Sequence, residues 1–317
     1  MLVVTDYDEF GLFHENIAEF DLAVDVVPPV ERVEVTVSDD GSTRIVSALR
    51  WGSGDPEFVL LHGGAQNAHT WDTVALALGK PALAVDLPGH GHSGWRQDGA
   101  YSPMNLADDV AAMVAVQAPA ARVVVGMSLG GLTAMELAVR HPKLVGSLVM
   151  VDITPGVNAA KTKAITDFVD GPQEFASFDD LLERTNEHNP TRSESSLRRG
   201  ILHNARQQPD GSWQWRYDRG SHARLRQSAP SEDQNGDGAA GSDQTANALS
   251  PLWDDFGSIG CPVTLVRGSL SPVVDDDDVA EARRRQPDLV VHVVDGAGHS
   301  VQGDRPVELA AILAALA

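Results

Sequence analysis

The stretch RVVVGMSLGGLTAMELAVRH, residues 122–141, decides the fold of this 317-residue chain. It opens with a short β-branched apolar run, as strands buried on both faces of a parallel sheet do, and its second half predicts a helix. Between them, G-x-S-x-G places Ser128 in a sharp strand-to-helix turn, where the flanking glycines let backbone segments approach closely. Because this turn lifts the serine hydroxyl above the sheet edge, Ser128 is the candidate nucleophile.

The rest of the chain repeats the alternation of predicted strands and helices. The apolar runs EFVLL, ALAVDL, SLVMVD, PVTLVRG and LVVHVV alternate with helical stretches. Ahead of them, ERVEVTV and TRIVSALRW alternate apolar with polar residues around the turn DDGS, which predicts an antiparallel hairpin. The predicted fold class is therefore α/β, with a mostly parallel, doubly wound sheet.

The regular succession of apolar strand runs is interrupted between Pro155 and about Ser250, which predicts an inserted cap over residues 155–250. The α/β core then comprises residues 31–154 and 251–317, and residues 1–30 form an N-terminal extension. Within the cap, PDGSWQWRYD predicts a small hairpin. Residues 229–248 are rich in Gly, Ser, Asp and Gln and are expected to be disordered.

Composition restricts the partners and the location. The formal net charge of −21 and the pI near 4.7 argue against nucleic acid and anionic membrane surfaces as partners. A single cysteine, Cys261, allows no intramolecular disulfide. The sequence shows no signal-peptide pattern and no run long enough to span a membrane, so a cytoplasmic location is expected.

Two further stretches add candidate catalytic groups. In LLHGGAQNAHTW, a strand ends in a glycine-rich turn, and the N–H of Gly64 is expected to bind an oxyanion together with that of Leu129. A loop that needs glycine only for its conformation is the alternative. In DGAGHSVQGDRP, His299 follows the last strand, which fits the chain order serine, acid, histidine. Such a histidine accepts the serine proton and returns it to the leaving group.

A cluster of histidines raises the question of a metal site. His62, His69, His90 and His92 lie close together in the sequence. The sequence offers no carboxylate or cysteine ligands at suitable spacing beside them. We therefore expect no metal and no organic cofactor.

The motifs GMSLGG, HGGAQNAHTWD, DLPGHGHSGW and VDITP resemble the α/β-hydrolase superfamily from Val33 to the C-terminus, apart from the cap. They are most similar to small intracellular serine esterases of mycobacterial and other actinobacterial type, and more distantly to enterobacterial esterases with a D-I-x-P motif. The resemblance implies hydrolysis of short- to medium-chain carboxylic esters through an acyl-enzyme on Ser128. A slow-turnover ligand receptor on the same fold, or an acyltransferase or perhydrolase with the same triad, is the alternative.

The catalytic acid departs from the pattern of many relatives, which carry it in a G-x-x-D turn after the strand PVTLVRG. Here that turn ends in Ser271, and the run Asp275 to Asp278 predicts a helix N-terminus instead. Asp152, at the end of SLVMVD, is the predicted acid, since parallel strands end at one sheet edge. Capping of the turn ITPG is its structural alternative. Ser271 is expected to assist by hydrogen bonding to His299.

Overall fold

A computed structural model describes residues 7–39, 42–189, 192–218 and 251–316. The strands are β1 Val30–Asp39, β2 Ser42–Trp51, β3 Phe58–Leu61, β4 Ala82–Asp86, β5 Val123–Met127, β6 Ser147–Val151, β7 Glu174–Phe175, β8 Ala205–Gln207, β9 Trp213–Trp215, β10 Val263–Gly268 and β11 Val290–Val294. The helices are α1 Phe13–Glu19, α2 Asp72–Leu78, α3 Pro103–Gln117, α4 Leu129–Arg140, α5 Ala159–Val169, α6 Phe178–His188, α7 Glu194–Asn204, α8 Pro251–Ser258, α9 Asp276–Arg285, α10 Val301–Asp304 and α11 Pro306–Ala314. Short 3₁₀ turns cover Ala68–Trp71 and Pro142–Leu144.

Eight strands form one sheet in the order β1-β2-β4-β3-β5-β6-β10-β11. The hairpin β1-β2 and the pair β2-β4 are antiparallel, and the other pairs are parallel. Every residue of β3, β4 and β5 is buried, and one apolar cluster lies on each face of the sheet. The predicted α/β class with a mostly parallel sheet is confirmed.

The cap segment, residues 155–250, leaves the sheet after β6. Its described part carries α5 to α7 and a small sheet in the order β7-β9-β8. The predicted hairpin is β8-β9, and the alternating Trp213, Trp215 and Tyr217 are buried in an apolar cluster of this segment. The stretch 229–248 lies outside the described residues, and the cap boundaries remain a prediction.

The N-terminal residues connect the core to the cap segment. Phe13 of α1 packs on Trp51 of β2, with ring centroids 4.9 Å apart. On the other side of α1, Glu15 pairs with Arg198 and Glu19 pairs with Arg199 of α7. In the part of the chain that the structure describes, no helix is both long and apolar enough to cross a membrane.

Candidate active site

Ser128 occupies the turn between β5 and α4 with φ 52° and ψ −119°, a conformation that non-glycine residues rarely adopt. Tight backbone packing explains the glycines around it. A Cβ on Gly126 would lie 2.1 Å from the carbonyl oxygen of Gly130, and one on Gly130 would lie 2.3 Å from that of Leu61. The surroundings therefore impose the strained turn, and the Ser128 side chain remains partly exposed at the sheet edge.

Asp152 follows β6, the strand next to β5, and is fully buried with φ 51°. Its Oδ1 accepts the backbone N–H of Gly268 at 3.0 Å. Its Oδ2 accepts Nδ1–H of His299 at 2.7 Å and the hydroxyl of Ser271. Three donors thus surround one buried carboxylate, so both of its oxygens are hydrogen-bonded.

The loops after β10 and β11 bring Ser271 and His299 to the same point. The N–H of Leu270 donates to the carbonyl oxygen of Ala297 at 2.9 Å. A Cβ on Gly268 would lie 2.3 Å from the carbonyl oxygen of Gly298, so only glycine allows this approach. Ser271 differs from expectation in one respect: its hydroxyl donates to Asp152 rather than bonding to His299.

The loop after β3 lies against the serine turn. A Cβ on Gly63 would lie 3.3 Å from the Cβ of Ser128. The N–H of Gly63 donates to Oε1 of Gln66 at 3.1 Å, whereas no hydrogen bond within the described ranges uses the N–H of Gly64. Leu129 is the first residue of α4, and the first N–H groups of a helix have no partner inside it. Both predicted oxyanion donors are therefore available to a ligand.

Side chains that sequence reasoning missed hold this loop from the cap segment. Asn204, at the end of α7, donates from Nδ2 to the carbonyl oxygen of Ala65 at 2.7 Å and accepts from Asn67 at 3.2 Å. Asn204 is 139 residues from Ala65 in the chain. No local pattern marks such a contact, so only the fold reveals it.

The histidines that lie close together in the sequence have different roles in the structure. His62 is fully buried, bonds through Nδ1 to the carbonyl oxygen of Gly63 at 2.7 Å, and accepts the N–H of Leu87 at 2.9 Å. Burial lowers the pKa of His62, so it is neutral and braces the loop that carries Gly64. His69 points elsewhere and joins a buried group with Asp72.

A cavity of about 160 Å³ lies between this loop, the cap segment and α10. Its lining includes Gln66, Asn67, Asn204 and Trp215. Gln66 and Asn67 belong to the loop that carries Gly64, whereas Ser128, Asp152 and His299 are not among the residues that line this cavity.

Comparison with known proteins identifies the family. The sequence model described as the alpha/beta hydrolase family matches residues 58–312, which is most of the chain. The chain belongs to the alpha/beta hydrolase family. Among alpha/beta hydrolases similar to it, the esterase Rv0045c of Mycobacterium tuberculosis is 44% identical over 317 residues, covering 98% of this chain and 96% of that protein.

A second relative and a solved structure are also similar to this chain. The 2-(acetamidomethylene)succinate hydrolase of Mesorhizobium japonicum is 30% identical over 268 residues, covering 83% of this chain and 88% of that protein. A solved structure of the M. tuberculosis esterase Rv0045c superposes on this chain with a TM-score of 0.81 at 42% sequence identity. The match covers 98% of this chain and 99% of that one. The resemblance to mycobacterial esterases that the motifs predict is confirmed.

Proposed function

We propose that this chain is a serine esterase that hydrolyses short- to medium-chain carboxylic esters through an acyl-enzyme on Ser128. The observation that carries the proposal is the 2.7 Å hydrogen bond between His299 and buried Asp152 at the sheet edge that also carries Ser128. The name of the M. tuberculosis relative, an esterase that covers nearly the whole chain, supports the same activity.

In this mechanism Asp152 orients His299 and stabilises its charged form. Because Nδ1–H donates to the carboxylate, Nε2 carries the lone pair that accepts the Ser128 proton. The serine oxygen then attacks the ester carbonyl carbon. The N–H groups of Leu129 and Gly64 stabilise the oxyanion that forms.

Collapse of the tetrahedral intermediate expels the alcohol, which takes the proton from Nε2 of His299. A water molecule then gives its proton to His299 and attacks the acyl carbon, and Ser128 leaves with that proton. Every proton returns to its starting place, and the products are one alcohol and one carboxylic acid. We also propose that this esterase is cytoplasmic, because a chain with a single cysteine needs no oxidising compartment to form an internal disulfide.

The test is steady-state hydrolysis of p-nitrophenyl esters from acetate to laurate by wild type and Ser128→Ala. Ser258→Ala is the matched control, since this serine is exposed and its hydroxyl donates to the carbonyl oxygen of Asp255. We expect sustained turnover with a chain-length optimum, loss of turnover in Ser128→Ala, and full activity in Ser258→Ala. A single burst of product without turnover would support the receptor alternative.

A further inference from the structure

We infer that Asn204 of the cap segment is a positioning residue for the candidate oxyanion site, an inference that rests on the proposed esterase function. Asn204 is the last residue of α7. Its Nδ2 donates to the carbonyl oxygen of Ala65 at 2.7 Å, and Ala65 directly follows Gly64, the predicted oxyanion donor. The cap segment therefore holds the oxyanion loop, residues 62–67, at the residue next to that donor.

Ala65 has a backbone conformation that alanine disfavours. It is the third residue of the turn 63–66, which the N–H of Gln66 closes by donating to the carbonyl oxygen of Gly63 at 3.2 Å, and its φ is 59°. Turns with a positive φ at this position normally carry glycine there. The left-handed conformation costs alanine about tenfold in population, and such strain persists only where the surroundings impose it. The hydrogen bond from Asn204 and the packing of Ala65 in the apolar cluster of the cap segment supply that constraint.

The turn determines where the N–H of Gly64 points. The carbonyl oxygen of Gly63 accepts Nδ1–H of His62 at 2.7 Å as well as the N–H of Gln66. The C=O and N–H of a trans peptide unit point in opposite directions, so the N–H of Gly64 is directed out of the turn. Gly64 shares its next peptide unit with Ala65, and relaxation of Ala65 would rotate that unit and shift the backbone of Gly64. Asn204 thus acts on the oxyanion through the backbone that it holds.

Backbone groups at both ends of a short chain of hydrogen bonds orient the Asn204 amide. Oδ1 of Asn67 accepts the N–H of His69 at 2.9 Å, which leaves Nδ2 of Asn67 to donate to Oδ1 of Asn204 at 3.2 Å. Nδ2 of Asn204 then faces the carbonyl of Ala65, which can only accept. The N–H of Arg216 donates to the carbonyl oxygen of Asn204 at 2.8 Å and fixes the end of α7. A donor is therefore held toward Ala65 by contacts within the cap segment and the loop.

The test is kcat and KM for the optimal p-nitrophenyl ester in wild type, Asn204→Ala and Asn204→Asp. Loss of a whole oxyanion donor costs about 10²–10³ in kcat. Because Gly64 is displaced rather than removed and the amide of Leu129 remains, we expect kcat to fall roughly 10- to 100-fold. KM should change less than about threefold, since the oxyanion exists only after attack on the ester. Asn204→Asp keeps the size and the acceptor for Asn67 but cannot donate as a carboxylate, so it tests the same bond if Asn204→Ala does not fold.

The variant Ala65→Gly separates positioning from a general effect on the cap segment. Glycine adopts a positive φ without the cost that alanine bears, so the turn then depends less on Asn204. In the Ala65→Gly background, the fall in kcat caused by Asn204→Ala should be at least about threefold smaller than in wild type. The matched control is Asn189→Ala, which removes an amide bond of 2.8 Å to the backbone carbonyl of Thr185 in the cap segment and should keep wild-type kcat.

Wild-type kcat in Asn204→Ala, or a loss confined to KM, would overturn the inference, as would an equal loss in the Ala65→Gly background. A wild type without turnover contradicts the proposed function instead, and the rate of labelling by a fluorophosphonate then decides. In that reaction the Ser128 oxygen bonds to phosphorus, fluoride leaves, the serine proton passes to His299, and the phosphoryl oxygen occupies the oxyanion site. We expect labelling at least about tenfold slower in Asn204→Ala. Equal labelling rates in the two proteins refute the role of Asn204.

Discussion

Replacing Asp152 by asparagine tests the candidate triad at its most sensitive point. The amide keeps an oxygen for the N–H of Gly268 but presents its NH₂ where Oδ2 stood. Two donors, the Ser271 hydroxyl and Nδ1–H of His299, then face another donor. The hydroxyl can rotate, but the imidazole has to change tautomer and direct its proton toward Ser128. The serine therefore loses its base.

The two substitutions at this carboxylate differ in expected cost. Loss of the orienting acid costs about 10⁴ in kcat, or about 5 kcal/mol at 1.36 kcal/mol per tenfold change. Ser271→Ala removes one donor, but Asp152 keeps the bonds from Gly268 and His299. Because the imidazole tautomer is preserved, we expect kcat to fall by less than about tenfold, which corresponds to about 1.4 kcal/mol. This loss is below the roughly 1.5–3 kcal/mol that a hydrogen bond to a charged group can contribute.

The assay is kcat and KM for the optimal p-nitrophenyl ester in Asp152→Asn, Ser271→Ala and wild type, with thermal unfolding as the folding control. KM should change little, since neither side chain is placed to contact the ester. The exchange variant Asp152→Ser with Ser271→Asp should recover activity above Asp152→Ser alone. A larger loss in Ser271→Ala than in Asp152→Asn would refute the assignment of the acid.

Two further predictions concern the helix that follows Ser128. Burial and the neighbouring Asp255 raise the pKa of Glu136 to about 7. Between pH 4.5 and 7 the folded chain keeps this proton and the unfolded chain loses it, so the free energy of unfolding should fall as pH rises. At 1.36 kcal/mol per pKa unit the fall is about 2–3 kcal/mol, and the free energy should then level off. Glu136→Gln should remove this slope in urea unfolding, and equal slopes in both proteins would contradict the burial argument. Gly130→Ala should unfold the turn or abolish turnover, because its Cβ meets the Leu61 carbonyl at 2.3 Å. The control Gly200→Ala, with open space in α7, should raise stability by about 0.5–1 kcal/mol in the same unfolding assay.

Local patterns predicted the features whose causes are local. The glycines around Ser128 are required by contacts within one turn, so G-x-S-x-G is visible in the sequence. The run of aspartates forms a capping box at α9, with Asp275 and Asp278 bonded to each other's backbone N–H. Strand burial on both faces likewise appears as continuous apolar runs.

Contacts between distant segments could not be predicted in the same way. Asp72 is three residues from His69, but His203 is in the cap segment and meets them only in the folded chain. The sequence therefore did not reveal that these three buried side chains meet. The hydroxyl of Ser271 could be placed at the correct edge, but its choice of Asp152 over His299 depends on side-chain directions that no spacing encodes.

The position of the candidate acid follows from the pairing of two strands. β6 and β10 are parallel neighbours, with Val151 opposite Val266, so the residues that follow them leave the sheet at one edge. Asp152 donates its N–H to the carbonyl oxygen of Val266 at 2.7 Å, which fixes its backbone beside β10. The Ser271 hydroxyl donates to Oδ2 of Asp152, the oxygen that also accepts Nδ1–H of His299. A carboxylate on either strand therefore reaches the imidazole, and a serine on the other strand completes the hydrogen bonding of that carboxylate.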